Sequence, residues 1–287
     1  MPSLKNKFKD IVEALRLEHT IFALPFAYVG VWAAAEGNPS WRVVGWVTLA
    51  MVGARTAGMA LNRLIDLPID RKNPRTKNWP VPSGRVKPSL LILLTTAALA
   101  IFLVAAWKLN PLCAKLSPVA LVLLVLYPTM KRFTWACHFW LGLVLASAPA
   151  AGWLAVTGKM ELELIPLFLG VFFWVSGFDI LYALLDIDFD RREGVYSIPG
   201  RFGLSPALWI SRSAHLMALL AFGWFGIVME FRGWFWAGWL LIAGLLTYEH
   251  RLVGPGRLEK INKAFFTVNG WVSVLFFLFT WLELTMQ

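Results

Sequence analysis

Asn62-x3-Asp66-x3-Asp70 and Asp186-x-Asp188-x-Asp190 are the groups in this 287-residue chain whose types and spacing could do chemistry. Five carboxylates stand beside apolar stretches, where an unpaired charge is costly and usually functional. Asn62, Asp66 and Asp70 recur every four residues, so on a helix they share one slowly rotating face. Asp186 and Asp190 repeat that spacing, while Asp188 would point away if the helix runs through it. Mg2+ takes hard oxygen ligands and is usually held by one or two carboxylates plus substrate phosphates. Asn62 adds a neutral carbonyl oxygen, natural for metal ligation and odd for a simple ion pair. Two helix ends offering such ligands from opposite sides could hold two Mg2+ ions and neutralise a diphosphate between them. Pro68 lacks an N–H and its ring opposes the carbonyl of Leu64, so the helix should kink between Asp66 and Asp70. Asn62 and Asp66 are therefore better ligand candidates than Asp70. The plain alternative is a set of solvated acids at the membrane edge. Its weakness is that the pattern occurs twice, on one side, once with a matched Asn.

Basic and aromatic residues surround these acids. Lys131 and Arg132 close the run Tyr127-Pro128-Thr129-Met130-Lys131-Arg132, and Arg75, Lys77 and Arg85 follow the first acidic group. An anionic leaving group needs such donors, Arg in fork geometry and Lys as a point charge. Taken singly, each could equally be a topology signal or a lipid-headgroup contact. Arg55 lies about two helical turns before Asn62, on nearly the same face. It is either a partner for a substrate carboxylate or Asp66, or a snorkelling helix-end charge. Tyr127 and Tyr182 are placed to offer ring faces to a transient cation. His19 and His138 have no partner at ligand spacing. Cys113 and Cys137 lack paired metal-ligand spacing as well, and read as core or lipid-facing thiols.

The elements that must position these groups are membrane helices. The chain is 58% hydrophobic and only 15% charged, far below the roughly 25% charged of soluble proteins. Nine spans are expected, near 20–36, 42–64, 89–107, 112–129, 135–156, 163–185, 206–228, 234–249 and 264–285. They form one all-α polytopic domain over 1–287, with a cytosolic helical loop cap. The net charge of +10 could suggest nucleic acid, but its distribution argues for topology instead. With each Lys and Arg assigned to its nearest gap, 20 fall at the N-terminus and the even-numbered loops and 5 in the others, Arg55 and Arg212 apart. That split places the N-terminus and both acidic groups in the cytosol and the C-terminus outside. Residues 1–19 read as a basic amphipathic lead-in on the membrane surface, with no apolar core of a cleavable signal. Loops 65–88 and 186–205 share a make-up: Asp-x3-Asp, a basic residue, then a Pro/Gly/Arg close. This hints at a duplicated half-bundle whose two loops meet over one cavity.

Asn62-x3-Asp66-x3-Asp70, with Arg75-Thr76 and Pro80-x-Pro82-Ser83-Gly84, resembles the first signature of the UbiA superfamily of intramembrane aromatic prenyltransferases. Asp179-x2-Tyr182-x3-Asp186-x3-Asp190-Arg191 resembles the second, and Tyr127-Pro128-x2-Lys131-Arg132-Phe133-Thr134 the lysine-bearing loop between them. Glu18-His19-Thr20 to Phe26, Ala54-Arg55 and Phe133-Thr134-Trp135 to His138 are similar to bacterial members that act on 4-hydroxybenzoate. The resemblance implies about nine helices around a lipid-open cavity in the bacterial cytoplasmic (inner) membrane. A polyprenyl diphosphate would bind head-first at the Mg2+ sites, ionise to an allylic cation and be attacked by an aromatic acceptor, in quinone biosynthesis. It further implies metal ligation by Asn62, Asp66, Asp186 and Asp190 and diphosphate contacts by Lys131 and Arg132. The acceptor could instead be 1,4-dihydroxy-6-naphthoate, as in menaquinone synthesis, or a haem or chlorin. Trp79 is a departure, since the family usually has Arg there, and its indole offers stacking area in place of a charge. A rival class is a secondary transporter or lipid-binding protein. Transporters, however, place their ionisable groups near the midplane, where only Arg55, Asp179 and Arg212 fall.

Overall fold

A computed structural model describes residues 4–16 and 20–286, and the expectations for Glu18 and His19 lie outside them. The long helices are α2 (Thr20–Ala34), α3 (Trp41–Ile65), α5 (Pro88–Leu109), α6 (Pro111–Thr129), α7 (Cys137–Thr157), α8 (Leu164–Ala183), α11 (Leu204–Val228), α12 (Gly233–Leu252) and α14 (Asn269–Thr285). Short helices join them: α1 (Leu4–Leu15), α4 (Leu67–Asp70), α9 (Ile187–Glu193), α10 (Ile198–Phe202) and α13 (Ile261–Lys263). A helix thus occupies each expected span. Among the described residues, seven rather than nine are long and apolar enough to cross a membrane by length and composition. The two that fall short have plain reasons. α2 has 15 residues, about 22 Å of rise against a hydrocarbon core of about 30 Å. α12 is rich in Trp and Gly and ends in Glu249, His250 and Arg251.

α3 packs on α5, α8 on α7 and α11, and α2 on α7 and α14, with α6 bridging α3, α5 and α7. The α2–α7 crossing depends on missing side chains. A Cβ at Gly30 would sit 2.1 Å from the Pro149 carbonyl oxygen, and one at Gly152 2.2 Å from that of Ala27. Lipid supplies little hydrophobic drive between helices, so close backbone approach of this kind does much of the holding. Behind it lies an aromatic core, in which Phe26 stacks on Phe222 at 5.7 Å and meets Trp174 at 5.1 Å. α1 is tied to the bundle through buried Ala14 and Leu15, packed with Ala60, Val81, Val86 and Leu91. Asp10 and Glu13 of α1 pair with Arg85 of the 65–88 loop.

Candidate active site

The first acidic group is shaped by where α3 stops. α3 ends at Ile65, Asp66 is the hinge (φ −86°, ψ −3°), and α4 restarts at Leu67 with Pro68 in its first turn. The break expected between Asp66 and Asp70 falls at Asp66 itself, because the Pro68 ring excludes a continuing α-helical turn. Asp66 is 2% exposed. Its Oδ2 takes Lys131 Nζ at 2.6 Å and the Asn62 amide at 3.0 Å, and its Oδ1 takes Arg132 at 3.3 Å. Arg132 also donates to the Ile65 and Pro128 carbonyls, so it braces the hinge. Asp70, 7% exposed, pairs loosely with Arg63 at 3.8 Å. Its Oδ2 is buried with no hydrogen-bond partner. Burial raises the Asp70 pKa above the usual carboxylate range against the pull of Arg63 and Lys131.

The second group follows the end of α8. Leu184–Asp186 form a 3-10 turn and α9 begins at Ile187, so Asp186 and Asp190 do not share one regular helix. Asp186 accepts from Arg75 in fork geometry, Nε to Oδ1 at 3.0 Å and Nη2 to Oδ2, and from Asn73 at 2.9 Å. Arg75 also donates to the Tyr182 hydroxyl at 3.0 Å. Burial pulls the Arg75 pKa down, but the bonds to Asp186 and Tyr182 outweigh it and the net shift is upward. Asp190 accepts from Ser197 Oγ at 2.6 Å and is buried, whereas Asp188 is exposed. Lys72 and Glu193 meet at 2.7 Å, closing loop 65–88 on loop 186–205.

These side chains line a polar cavity of about 220 Å3: Asn62, Asp66, Asp70, Arg75, Tyr127, Lys131, Tyr182, Asp186 and Asp190 all face it. An apolar cavity of about 640 Å3 runs between α3, α5, α6, α7 and α8, and Arg55 lies on its wall. Tyr127 and Leu141 line both, so one opens onto the other. The donor set suits a hard cation. Its candidate ligands are all oxygens, and Asp70 Oδ2 is a buried acceptor that such an ion would satisfy. Among the described residues, no three His, Cys, Asp or Glu side chains are grouped to hold a metal unaided.

Three residues of the site were not expected from the sequence in the roles they take. Asn73 forms an Asx-turn, its Oδ1 accepting the Arg75 amide at 2.9 Å, and Asn73-Pro74 was the available signal. Ser197 caps α10 and holds Asp190. His138 is not partnerless: its Nδ1 meets Asp179 Oδ2 at 2.7 Å and its Nε2 accepts the Ile198 amide at 3.3 Å. The partner lies 41 positions away, beyond any local spacing rule. Both His138 and Asp179 line the polar cavity. Trp79 does not line it, but lies beneath arginines instead.

A polar mouth rich in carboxylates and cations, opening onto an apolar tunnel within a helical bundle, defines an integral membrane enzyme. The chain belongs to the UbiA prenyltransferase family, whose model matches residues 23–281, and it is a prenyltransferase. It is 31% identical over 271 residues to the 4-hydroxybenzoate octaprenyltransferase of Vibrio parahaemolyticus, covering 92% of this chain and 94% of that one. It is also 31% identical to the 4-hydroxybenzoate octaprenyltransferase of Coxiella burnetii, covering 86% of each. Among solved structures, the apo UbiA homolog from Aeropyrum pernix K1 superimposes with a TM-score of 0.84 at 34% identity, covering 91% of this chain and 96% of that one. The UbiA homolog from Archaeoglobus fulgidus bound to GPP and Mg2+ shares the fold, with a TM-score of 0.77 at 20% identity over 96% of this chain and 99% of that one.

Proposed function

We propose that this enzyme transfers a polyprenyl group from its diphosphate to an aromatic acid of the 4-hydroxybenzoate type. The observation that carries this reading is the junction of the two cavities at Tyr127 and Leu141. A diphosphate fits the polar side and a long hydrocarbon the apolar side, with the reacting carbon where they meet. Asn62, Asp66, Asp70, Asp186 and Asp190 would hold Mg2+, sharing it with substrate phosphates as that ion prefers. When bound, the metal offsets diphosphate charge and so assists its departure. Lys131 and Arg75 face the same space and donate to the leaving oxygens, with Arg132 fixing Asp66 behind them. The allylic C–O bond breaks with its electron pair going to the diphosphate. The Tyr127 and Tyr182 rings stabilise the allylic cation that remains. Arg55, a cation on the wall of the apolar cavity, takes the acceptor carboxylate and presents the ring, whose carbon closes the new C–C bond. Asp179, oriented by His138, takes the ring proton.

The same reading makes 1–287 one domain of nine spans in the bacterial cytoplasmic membrane. The N-terminus and site are cytosolic and the C-terminus extracytosolic. Membranes containing the protein, given labelled polyprenyl diphosphate, Mg2+ and either 4-hydroxybenzoate or 1,4-dihydroxy-6-naphthoate, test it. Label should move to the benzoate. Transfer to the naphthoate alone would change the acceptor, and transfer to neither would overturn the reading.

A further inference from the structure

Three guanidinium groups converge on one indole. Arg63 lies 4.2 Å from the centroid of the Trp79 ring, Arg16 5.1 Å and Arg75 5.5 Å. Two of them reach onward to the acidic groups. Arg63 stands 3.8 Å from Asp70, and Arg75 grips Asp186 through two nitrogens. The loop around the indole is fixed by its own backbone. The Trp79 amide donates to the Thr76 carbonyl at 2.8 Å, and its carbonyl accepts Ser83 Oγ at 2.6 Å. Three like charges around one point repel, and burial of Arg63 reduces the screening of that repulsion. An indole face is the best aromatic platform for such cations because its quadrupole is negative there. A cationic side chain at this position would add to the repulsion instead.

We propose that Trp79 is a positioning residue: its ring gathers Arg63 and Arg75 and so sets how Asp70 and Asp186, one from each motif, face the diphosphate site. The inference rests on the diphosphate site of the proposed function. Trp79 acts through the arginines, since it does not line the cavity itself. Arg16 directly follows α1, so the same ring also ties the N-terminal helix to the site.

Purified full-length Trp79→Phe and Trp79→Leu, with Trp79→Met as a second apolar replacement, test this. One readout is thermal stabilisation by Mg2+ plus inorganic diphosphate, and the other is the kcat and KM split of prenyl transfer. Loss of the ring face should raise the half-saturating diphosphate and its KM by about tenfold, while Phe, which keeps a ring, stays within about threefold. In an Arg75→Lys background Trp79→Leu should add little, because the two act as one unit. Wild-type affinity in Trp79→Leu or Trp79→Met, or effects additive with Arg75→Lys, would overturn the proposal. Collapse of both apolar variants while Phe folds would make Trp79 a structural pin and overturn it too. If unmodified protein binds diphosphate but transfers nothing, the reading of function fails. The binding arm still decides this one.

Discussion

Asn73 Nδ2 donates to Asp186 Oδ1 at 2.9 Å across 113 positions of chain. Its own Oδ1 meanwhile accepts the Arg75 amide, so one buried side chain aims an arginine and anchors a carboxylate. With the Lys72–Glu193 and Arg75–Asp186 pairs it joins the two loops into one polar unit, so cutting this link should be felt on both sides. Asn73→Ala is expected to cost about 1.5–3 kcal/mol of interaction with the charged group, or roughly ten- to a hundredfold in kcat/KM for the diphosphate. Asn73→Asp should be worse, because it sets a second carboxylate against Asp186. Steady-state kinetics on protein of unchanged thermal stability checks this. An Asn73→Ala enzyme with wild-type kcat/KM would show that Arg75 alone places Asp186.

Divalent metal should be required, with Mg2+ preferred over softer ions by an all-oxygen ligand set. Asp66→Ala and Asp186→Ala are expected to abolish turnover while the protein still inserts and folds. Asp188→Ala should stay within a few-fold of wild type, because that side chain is exposed and lies off the cavity wall. Full activity in excess chelator would remove the metal from the mechanism. Equal losses at 186 and 188 would mean that the turn after α8 is built differently.

His138 should matter through Asp179 rather than by touching substrate. Because its Nε2 accepts the Ile198 amide, the proton sits on Nδ1 and is donated to Asp179. His138→Ala leaves a cavity carboxylate and a buried amide without partners, at about 1–3 kcal/mol each. The expected result is a lower kcat with little change in diphosphate KM. His138→Asn, which can still donate to the carboxylate, should recover part of the rate. A loss confined to the diphosphate KM would place His138 in leaving-group binding instead.

Arg55 tests where the acceptor enters. Arg55→Leu should raise the acceptor KM by at least about tenfold, since a charged hydrogen bond to a carboxylate is lost. The diphosphate KM should hold. Arg55→Lys keeps the charge but not the fork, so it should fall between. An unchanged acceptor KM in Arg55→Leu would leave Arg55 as a wall charge and move the acceptor elsewhere.

What could be read from the sequence follows from distance along the chain. Helices at all nine apolar stretches were legible because hydropathy is local, whereas the one-face reading of each Asp-x3-Asp was not met, since α3 breaks at Asp66 and a 3-10 turn ends at Asp186. The break at Asp66 was legible to within two residues, since Pro68 acts on its own turn. Asn73 with Asp186, His138 with Asp179 and Trp79 with Arg16 and Arg63 were not, because each pair is joined by how loops fold over the bundle. His138 shows this most clearly. Its residue type and neighbours gave no partner, and the partner arrives on another helix.

The apolar cavity predicts how chain length is read. Its lining on α6 runs from Cys113 to Tyr127, 14 residues or about 21 Å of rise. Leu154, Met160 and Glu161 line its other end, with Glu161 accepting from the Trp153 indole at 2.7 Å. Ala151 lines this end on α7, well away from Tyr127 and Lys131. Ala151→Trp should fill the space that the distal isoprene units need and leave the head untouched. Turnover of a long-chain polyprenyl diphosphate is expected to fall at least about tenfold, the scale of losing a few buried methylenes at about 0.8 kcal/mol each. Geranyl diphosphate should be used as well as before. Parallel kinetics with the two donors give the ratio directly. Equal use of both would mean that the tail leaves the bundle for lipid before reaching Ala151, and that this cavity does not measure the chain.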